Sequence, residues 1–302
     1  MTILFFGDVM GKIGRRAVAK IMPVWKKKYK PDFVIANGEN LAHGIGVTEK
    51  TAREIFDAGV DFLTGGNHSL ERGSDFHIWD ESLFGLKMIR PANINFQFPI
   101  SNSQLNSNTL ANYDGLPGKG VRVVEIKGNK LVIINLLGRV FFKKEYEDPF
   151  KMIDDLLSNY KTASPTLSRG GVMSEGHSVF HERTAILLDF HAEATSEKNA
   201  MGWYLDGKIS AVIGTHTHIP TCDIKILPKG TAYVTDVGMV GAKDSVLGEN
   251  KDVIIESFLK GTGFRHQIAE KGEAVVNAVL IKIDDKSSKA KSIKRIDEIV
   301  EV

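Results

Sequence analysis

Two histidines stand two residues apart in Gly214-Thr215-His216-Thr217-His218, directly after the apolar run Ile209-Ser210-Ala211-Val212-Ile213. The run has the length and β-branched content of a buried strand, which puts the histidines at or just past its carboxyl end, where open α/β sheets bind ligands. In extended backbone, residues i and i+2 face the same side, so two neutral imidazoles can reach one metal ion or two adjacent ones. A histidine pair hydrogen-bonded within a loop would have the same spacing. Four further strand ends favour the metal: Gly7-Asp8, Asn37-Gly38-Glu39-Asn40, Gly65-Gly66-Asn67-His68, and the run Ala185 to Asp189 ending in Phe190-His191. Taken singly, Asp8 can be a helix N-cap, Asn67 a turn residue and His68 a loop histidine. Those roles do not explain five such tips together, because parallel strands bring their carboxyl ends to one edge.

The donor types also narrow the ion. Carboxylate, amide oxygen and imidazole without thiolate suit Fe²⁺ or Mn²⁺ first, with Zn²⁺ or Mg²⁺ as alternatives, and argue against a structural zinc site. Two divalent ions carry four positive charges against the two negative ones of Asp8 and Glu39, and Asn40 and Asn67 preserve that surplus. An electropositive pair of ions roughly 3.5–4 Å apart is matched to a phosphate ester and acidifies a bound water toward a pKa of about 7.

The elements that must position these groups follow from periodicity. Thr2 to Phe6, Phe33 to Ala36, Val60 to Thr64 and Lys87 to Arg90 read as strands. Arg15 to Tyr29, Thr48 to Ala58 with Thr48 as N-cap, and a segment around Glu71 to Phe84 read as the helices between them. This alternation predicts βαβ units with mostly parallel strands. Beyond residue 118, Val121 to Ile126 and Lys130 to Leu136 flank a hairpin turn at Lys127-Gly128-Asn129. Ala274 to Ile283 and Ser292 to Ile299 repeat the antiparallel style, which predicts a second sheet packed on the first. Helices around Pro149 to Asn159 and Ser196 to Leu205 would cover the outer faces. Lys161 to Arg183 lacks periodicity and is expected to be a long loop, a lid or an insertion; its His177 and His181 are read as surface residues.

With 302 residues, 42% hydrophobic, 25% charged and a net charge of +2, the chain has the composition of a soluble globular protein and no case for general nucleic-acid binding. Lys26-Lys27-Lys28 and the lysines from 286 to 294 are expected on a solvated helix face and a charged strand edge. The single cysteine, Cys222, excludes an intrachain disulfide and is expected to be inert and partly buried. No apolar stretch approaches the roughly 18 residues needed to span a bilayer, and no signal-peptide pattern precedes Gly7, so a cytoplasmic protein is expected.

The order of the tips resembles that of the calcineurin-like metallophosphoesterase superfamily. Within it, Asn37 to Gly44 (NGENLAHG), Asp189 to Lys198 (DFHAEATSEK) and Thr235 to Met239 (TDVGM) are similar to the YmdB-type bacterial phosphodiesterases. The resemblance runs through nearly the whole chain. It implies an α/β fold, a four-layer α/β/β/α sandwich of the calcineurin-like metallophosphoesterase type, with residues 1–302 as a single domain. It further implies a dimetal centre that hydrolyses phosphodiesters, 2′,3′- or 3′,5′-cyclic nucleotides first.

Carried over residue by residue, the resemblance makes Glu39 the carboxylate shared by both ions. Asp8, Asn40 and His218 would complete one, and Asn67, His191 and His216 the other. His68 would assist the leaving group while a bridging hydroxide attacks phosphorus. One departure from the wider superfamily is Asp8-Val9-Met10 in place of Asp-x-His, since a thioether is a poor ligand for a hard ion. The YmdB type shares this departure. The other departure is the length of Lys161 to Arg183, which bears on substrate access and on assembly, a homo-oligomer included.

Arg90 and Arg139 are candidates to hold a phosphate or a structural salt bridge. His43 is left outside the catalytic set. Two alternatives stand beside the leading reading: a phosphomonoesterase or phosphoprotein phosphatase using the same centre, and a regulator that binds metal and nucleotide with little turnover. The acid at His68 argues against the regulator.

Overall fold

The computed structural model describes residues 1–71, 73–94, 116–162, 184–263 and 266–302. The chain opens with β1 (Thr2–Val9), α1 (Gly11–Tyr29), β2 (Phe33–Asn37), α2 (Glu49–Asp57) and β3 (Phe62–Thr64). The middle of the chain supplies β4 (Val121–Ile126), β5 (Asn129–Leu137), α3 (Pro149–Thr162), β6 (Thr184–His191), α4 (Thr195–Leu205), β7 (Ala211–Thr215), β8 (Lys225–Ile226) and β9 (Ala232–Val234). It closes with β10 (Met239–Ala242), α5 (Lys251–Lys260), β11 (Glu273–Val276), β12 (Ala278–Ile283), β13 (Ala290–Arg295) and β14 (Glu298–Glu301).

These strands form two mixed sheets. One runs β13-β12-β1-β10-β11-β14, with β2 paired to β1 and β3 to β2; the other runs β4-β5-β6-β7-β9-β8. Strand alternation sorts the side chains into three apolar layers. Leu4 and Phe6 face α1 and α2, while Ile3 and Phe5 meet Ile133, Leu187 and Ile213 of the second sheet. Val132, Leu188 and Val212 point the other way, onto Ile153 of α3 and Met201 and Leu205 of α4. Three layers between four tiers are the expected α/β/β/α sandwich.

Several expectations need correction. The second sheet is built from residues 121–234, and the C-terminal strands return to the first sheet instead of forming the second. The five tips therefore do not lie on one parallel sheet: β1, β2 and β3 belong to one sheet, β6 and β7 to the other. Their carboxyl ends meet across the sandwich. The segment around Glu71 to Phe84 contains a 3-10 helix, Gly73–Trp79, and no longer helix among its described residues, and Met88 forms an isolated bridge to Leu63 in place of a strand. α1 begins at Gly11, four residues before Arg15, and its cap is Met10, so Asp8 is no N-cap. Cys222 is exposed. Except for Lys161 and Thr162, which end α3, the segment to Arg183 lies outside the described residues, His177 and His181 included.

Other expectations hold. Thr48 caps α2, its hydroxyl accepting Thr51 N–H at 3.3 Å while the Thr51 hydroxyl accepts Thr48 N–H at 3.0 Å. Lys127 and Gly128 turn the β4–β5 hairpin with φ of 51° and 79°. Lys26, Lys27 and Lys28 are in the last turn of α1, and β13 is an edge strand. Among the described residues no helix is long and apolar enough to cross a membrane.

Trp25 anchors the α1 layer. It is fully buried, stacks on Phe6 at 5.4 Å between centroids and donates its Nε1–H to Glu298 at 3.0 Å. Trp25→Ala is expected to lower stability by about 3–5 kcal/mol, read as the midpoint of urea unfolding.

Candidate metal centre

A one-residue shift in β1 aims the first candidate ligand. Pairing with β2 shifts register between Phe6 and Asp8. Leu4, Phe6 and then Val9 pack on the helix layer, so the shift gives Val9 the outer face and turns Asp8 inward. Gly7 permits it, because a Cβ there would lie 1.9 Å from the Gly238 carbonyl oxygen. On β2 and β6 unbroken alternation does the same work. After Ile35 and Leu187 on the inner face come Asn37, Asp189 and His191, and the apolar layer between the sheets gives way to a polar tier.

That tier is closed by hydrogen bonds. Asn37 Nδ2 donates to Gly65 O at 2.9 Å and to Asp189 Oδ2 at 3.1 Å, and its Oδ1 accepts Glu39 N–H at 3.1 Å. Asn135 Oδ1 accepts Gly65 N–H at 3.2 Å. The three strand ends carrying Glu39, Asn67 and His191 are thus tied across the sandwich.

All seven residues expected to hold metal converge above this tier. His191 Nε2 lies 3.1 Å from Glu39 Oε1, 3.0 Å from Asn67 Oδ1 and 3.0 Å from His216 Nδ1. On the other side of Glu39, Asn40 Nδ2 lies 3.2 Å from the same Oε1 and 3.2 Å from His218 Nε2. Asp8 Oδ1 is 3.8 Å from both His218 Nε2 and His191 Nδ1. Glu39 Oε1 is the atom common to the two groups. The amide of Asn40 exchanges oxygen for nitrogen by a half-turn of its terminal torsion, which brings Oδ1 to the same place.

The histidine tautomers are set from outside the cluster. The Thr215 hydroxyl donates its only proton to Asp189 Oδ1 at 2.6 Å, so at 2.9 Å it can only accept from His191 Nδ1–H, which leaves Nε2 directed at Glu39, Asn67 and His216. His216 Nε2 sits 2.8 Å from Glu193 Oε2, leaving Nδ1 inward. His218 Nδ1 donates to Leu247 O at 2.8 Å, leaving Nε2 inward. An outer acceptor on one ring nitrogen with the other free is the arrangement of a metal-ligating histidine.

Electrostatics favour a cation at the same place. Burial raises the Asp8 carboxyl, whose Oδ1 has no hydrogen-bond partner among the described residues. Burial works against ionised Glu39 too, but His191 beside it holds that carboxyl well below the usual range. Burial likewise opposes charge on His191, yet the Glu39 carboxylate carries it up to about 9. Burial and His191 push His216 down to about 2. Two buried carboxylates so close together favour positive charge beside them. Glu39, His191 and His216 also form a group whose donor atoms all lie within 4.8 Å of one another. The donors fit a divalent metal. Gly66 leaves the room, since a Cβ there would lie 2.1 Å from Glu39 Oε2 and 2.5 Å from His191 Nε2.

His68 stands at the rim, with 28% of its side chain exposed. Its backbone N–H donates to Glu39 Oε2 at 3.0 Å and its Nδ1 pairs with Glu71 Oε2 at 2.9 Å, while Lys144 reaches Glu71 Oε1 at 3.2 Å. Burial lowers the imidazole, but the bond to Glu71 and the charge of Glu39 leave it raised above its ordinary value. Phe142 packs on His216 at 5.0 Å between centroids and lines a cleft of about 600 Å³ with Arg139, Tyr146 and Phe150.

Both arginine candidates already have partners. Arg90 is buried and donates to Pro117 O and Pro91 O, whereas Arg139 is half-exposed and 3.6 Å from Asp148. His43 is 81% exposed, with φ of 55°. Met10 is buried and would meet any Cβ placed at Gly241 or Gly248. Sequence reasoning passed over Asn37, Asp189, Glu193 and Thr215. Asn37 and Asp189 carried one signal, a polar residue at an inward position of an otherwise apolar strand.

Comparison with known proteins finds relatives along nearly the whole chain. The family model for YmdB-like protein matches residues 4–109 and 106–296. The chain is 42% identical over 296 residues to the 2′,3′-cyclic-nucleotide 2′-phosphodiesterase of Bacillus subtilis strain 168, covering 98% of this chain and 96% of that protein. A solved structure of a novel phosphatase from Mycoplasma pneumoniae superposes with a TM-score of 0.81 at 32% identity, over 99% of this chain and 93% of that one. A hypothetical protein from Thermus thermophilus gives 0.77 at 34% identity, over 99% of both chains.

Proposed function

The chain belongs to the YmdB-like protein family, and from that premise we propose that it is a metal-dependent phosphodiesterase that opens 2′,3′-cyclic nucleotides, with the centre at Glu39 as its active site. The observation that carries the reading is the inward aim of three histidine nitrogens, on His191 and His216 beside Glu39 and on His218 beside Asn40 and Asp8. Asp8, Asn40 and His218 would hold one divalent ion and Asn67, His191 and His216 the other, with Glu39 common to both. Fe²⁺ or Mn²⁺ suits this donor set best. Bound there, the ions supply Lewis acidity toward the phosphoryl oxygens and an acidified water.

The remaining work belongs to side chains. His68, protonated with the help of Glu71, donates a proton to the departing ribose oxygen, which is otherwise too basic to leave. A water oxygen bonds to phosphorus as the 2′ P–O bond breaks, the His68 proton goes to the 2′ oxygen, and the product is a 3′-phosphomonoester. Glu193, Thr215 and Leu247 O keep the three ligand imidazoles in the required tautomers. Phe142 offers an aromatic face beside His216 for the nucleoside part. Residence in the cytoplasm and a small-molecule nucleotide substrate belong to the same reading.

The Mycoplasma pneumoniae relative is described as a phosphatase, which gives the monoesterase reading its one observation. Mn²⁺-loaded protein assayed side by side on bis-p-nitrophenyl phosphate and p-nitrophenyl phosphate separates the two. The diester is expected to be the better substrate by kcat/KM; a preference for the monoester would overturn the diesterase assignment.

A further inference from the structure

We infer that the buried ion pair Lys198–Asp236 sets the His216-Thr217-His218 turn in ligand geometry, which makes both residues positioning residues for the metal centre. The inference rests on the metal reading above. His216 and His218 have φ of 102° and 63°, a region that residues with a Cβ rarely adopt. Such backbone persists only where its surroundings over-determine it. Here one ion pair meets the backbone on both sides of His216. Lys198 Nζ donates to the Thr215 carbonyl at 2.7 Å and to Asp236 Oδ2 at 2.7 Å, and that same Oδ2 accepts Thr217 N–H at 3.0 Å. The residues on both sides of His216 are therefore clamped by one cation and one carboxylate.

The clamp extends to the other sheet. Asp236 Oδ1 accepts Gly238 N–H at 2.8 Å, and the Gly238 carbonyl accepts Asp8 N–H at 3.0 Å. Asp8 Oδ2 in turn accepts His216 N–H at 3.1 Å. Thr215, held through its carbonyl by Lys198, is also the residue whose hydroxyl fixes the His191 tautomer. The pair is fully enclosed, with the Lys198 side chain 1% exposed and Asp236 0%. A buried charge pair contributes little net stability compared with apolar residues of the same shape, so stability alone gives no reason for one at this place. Geometry at the turn does give one.

The test is titration of metal-free protein with Mn²⁺, followed by the electron paramagnetic resonance of the free and the bound ion. Lys198→Met leaves Asp236 buried and unpaired, so Lys198→Met/Asp236→Asn, which removes both charges, guards against simple failure to fold. Trp25→Ala serves as the control for lost stability away from the turn. The double variant is expected to bind Mn²⁺ about 10- to 100-fold more weakly and to lose the spin-coupled signal of a paired centre. Trp25→Ala is expected to melt earlier and keep both. Unchanged affinity and an unchanged coupled signal in the folded double variant would overturn the inference. Failure of the unaltered protein to bind Mn²⁺ would instead overturn the metal reading and this inference with it.

Discussion

Glu39→Gln is expected to empty both halves of the centre and to slow hydrolysis of a 2′,3′-cyclic nucleotide by roughly 10³-fold or more, which corresponds to about 4 kcal/mol of lost transition-state stabilisation. The substitution keeps the shape of the side chain and removes its charge. Oε1 lies within 3.2 Å of both His191 Nε2 and Asn40 Nδ2, so neutralising it weakens the two positions together. Oε2 has a separate duty, accepting the His68 N–H, which an amide oxygen can still perform. The fold should survive for that reason. Elemental analysis after dialysis, with circular dichroism as the check on folding, reads the outcome. Loss of a single equivalent of metal would show that Glu39 serves one ion only.

His68→Ala is expected to keep its metal and lose turnover by roughly 10²–10⁴-fold on a cyclic nucleotide. The two effects separate because His68 lies next to Asn67 in sequence but pairs with Glu71, outside the cluster. General-acid assistance matters in proportion to the basicity of the leaving oxygen. A ribose hydroxyl is a poor leaving group and p-nitrophenolate a good one, so the loss on bis-p-nitrophenyl phosphate should be markedly smaller. Equal losses on both substrates would assign His68 to charge stabilisation instead of proton transfer.

Much of this site was legible in the residue string. Strand ends rich in Asp, Glu, Asn and His beside glycine marked Glu39 and the six groups that gather with it, and the βαβ spacing of the first 64 residues, with Thr48 as a cap, matches the structure. What the string did not carry was pairing at long range. Alternation says which face a side chain takes but not which sheet its strand joins, so β6 and β7 read as continuations of the first sheet. The return of β10 to β14 beside β1 was hidden for the same reason. Asp8 was grouped with the other strand ends, whereas its direction depends on a one-residue shift at Gly7 that no periodicity reveals. Lys198 and Asp236 stood in motifs already singled out, and only the fold shows them joined across 38 positions. The segment Glu71 to Phe84 had helical composition, but its described residues yield one 3-10 stretch, Gly73–Trp79, alongside ties of Glu71 to His68 and Lys144.

Metal stoichiometry joined to turnover reaches the central claim most directly. The protein would be stripped with chelator, reloaded with Mn²⁺, analysed for bound metal, and assayed on a 2′,3′-cyclic nucleotide with the phosphate position of the product determined. The account predicts close to two equivalents per chain, turnover that disappears on stripping and returns on reloading, and a 3′-phosphate product. Turnover undiminished in protein shown to be metal-free would contradict it.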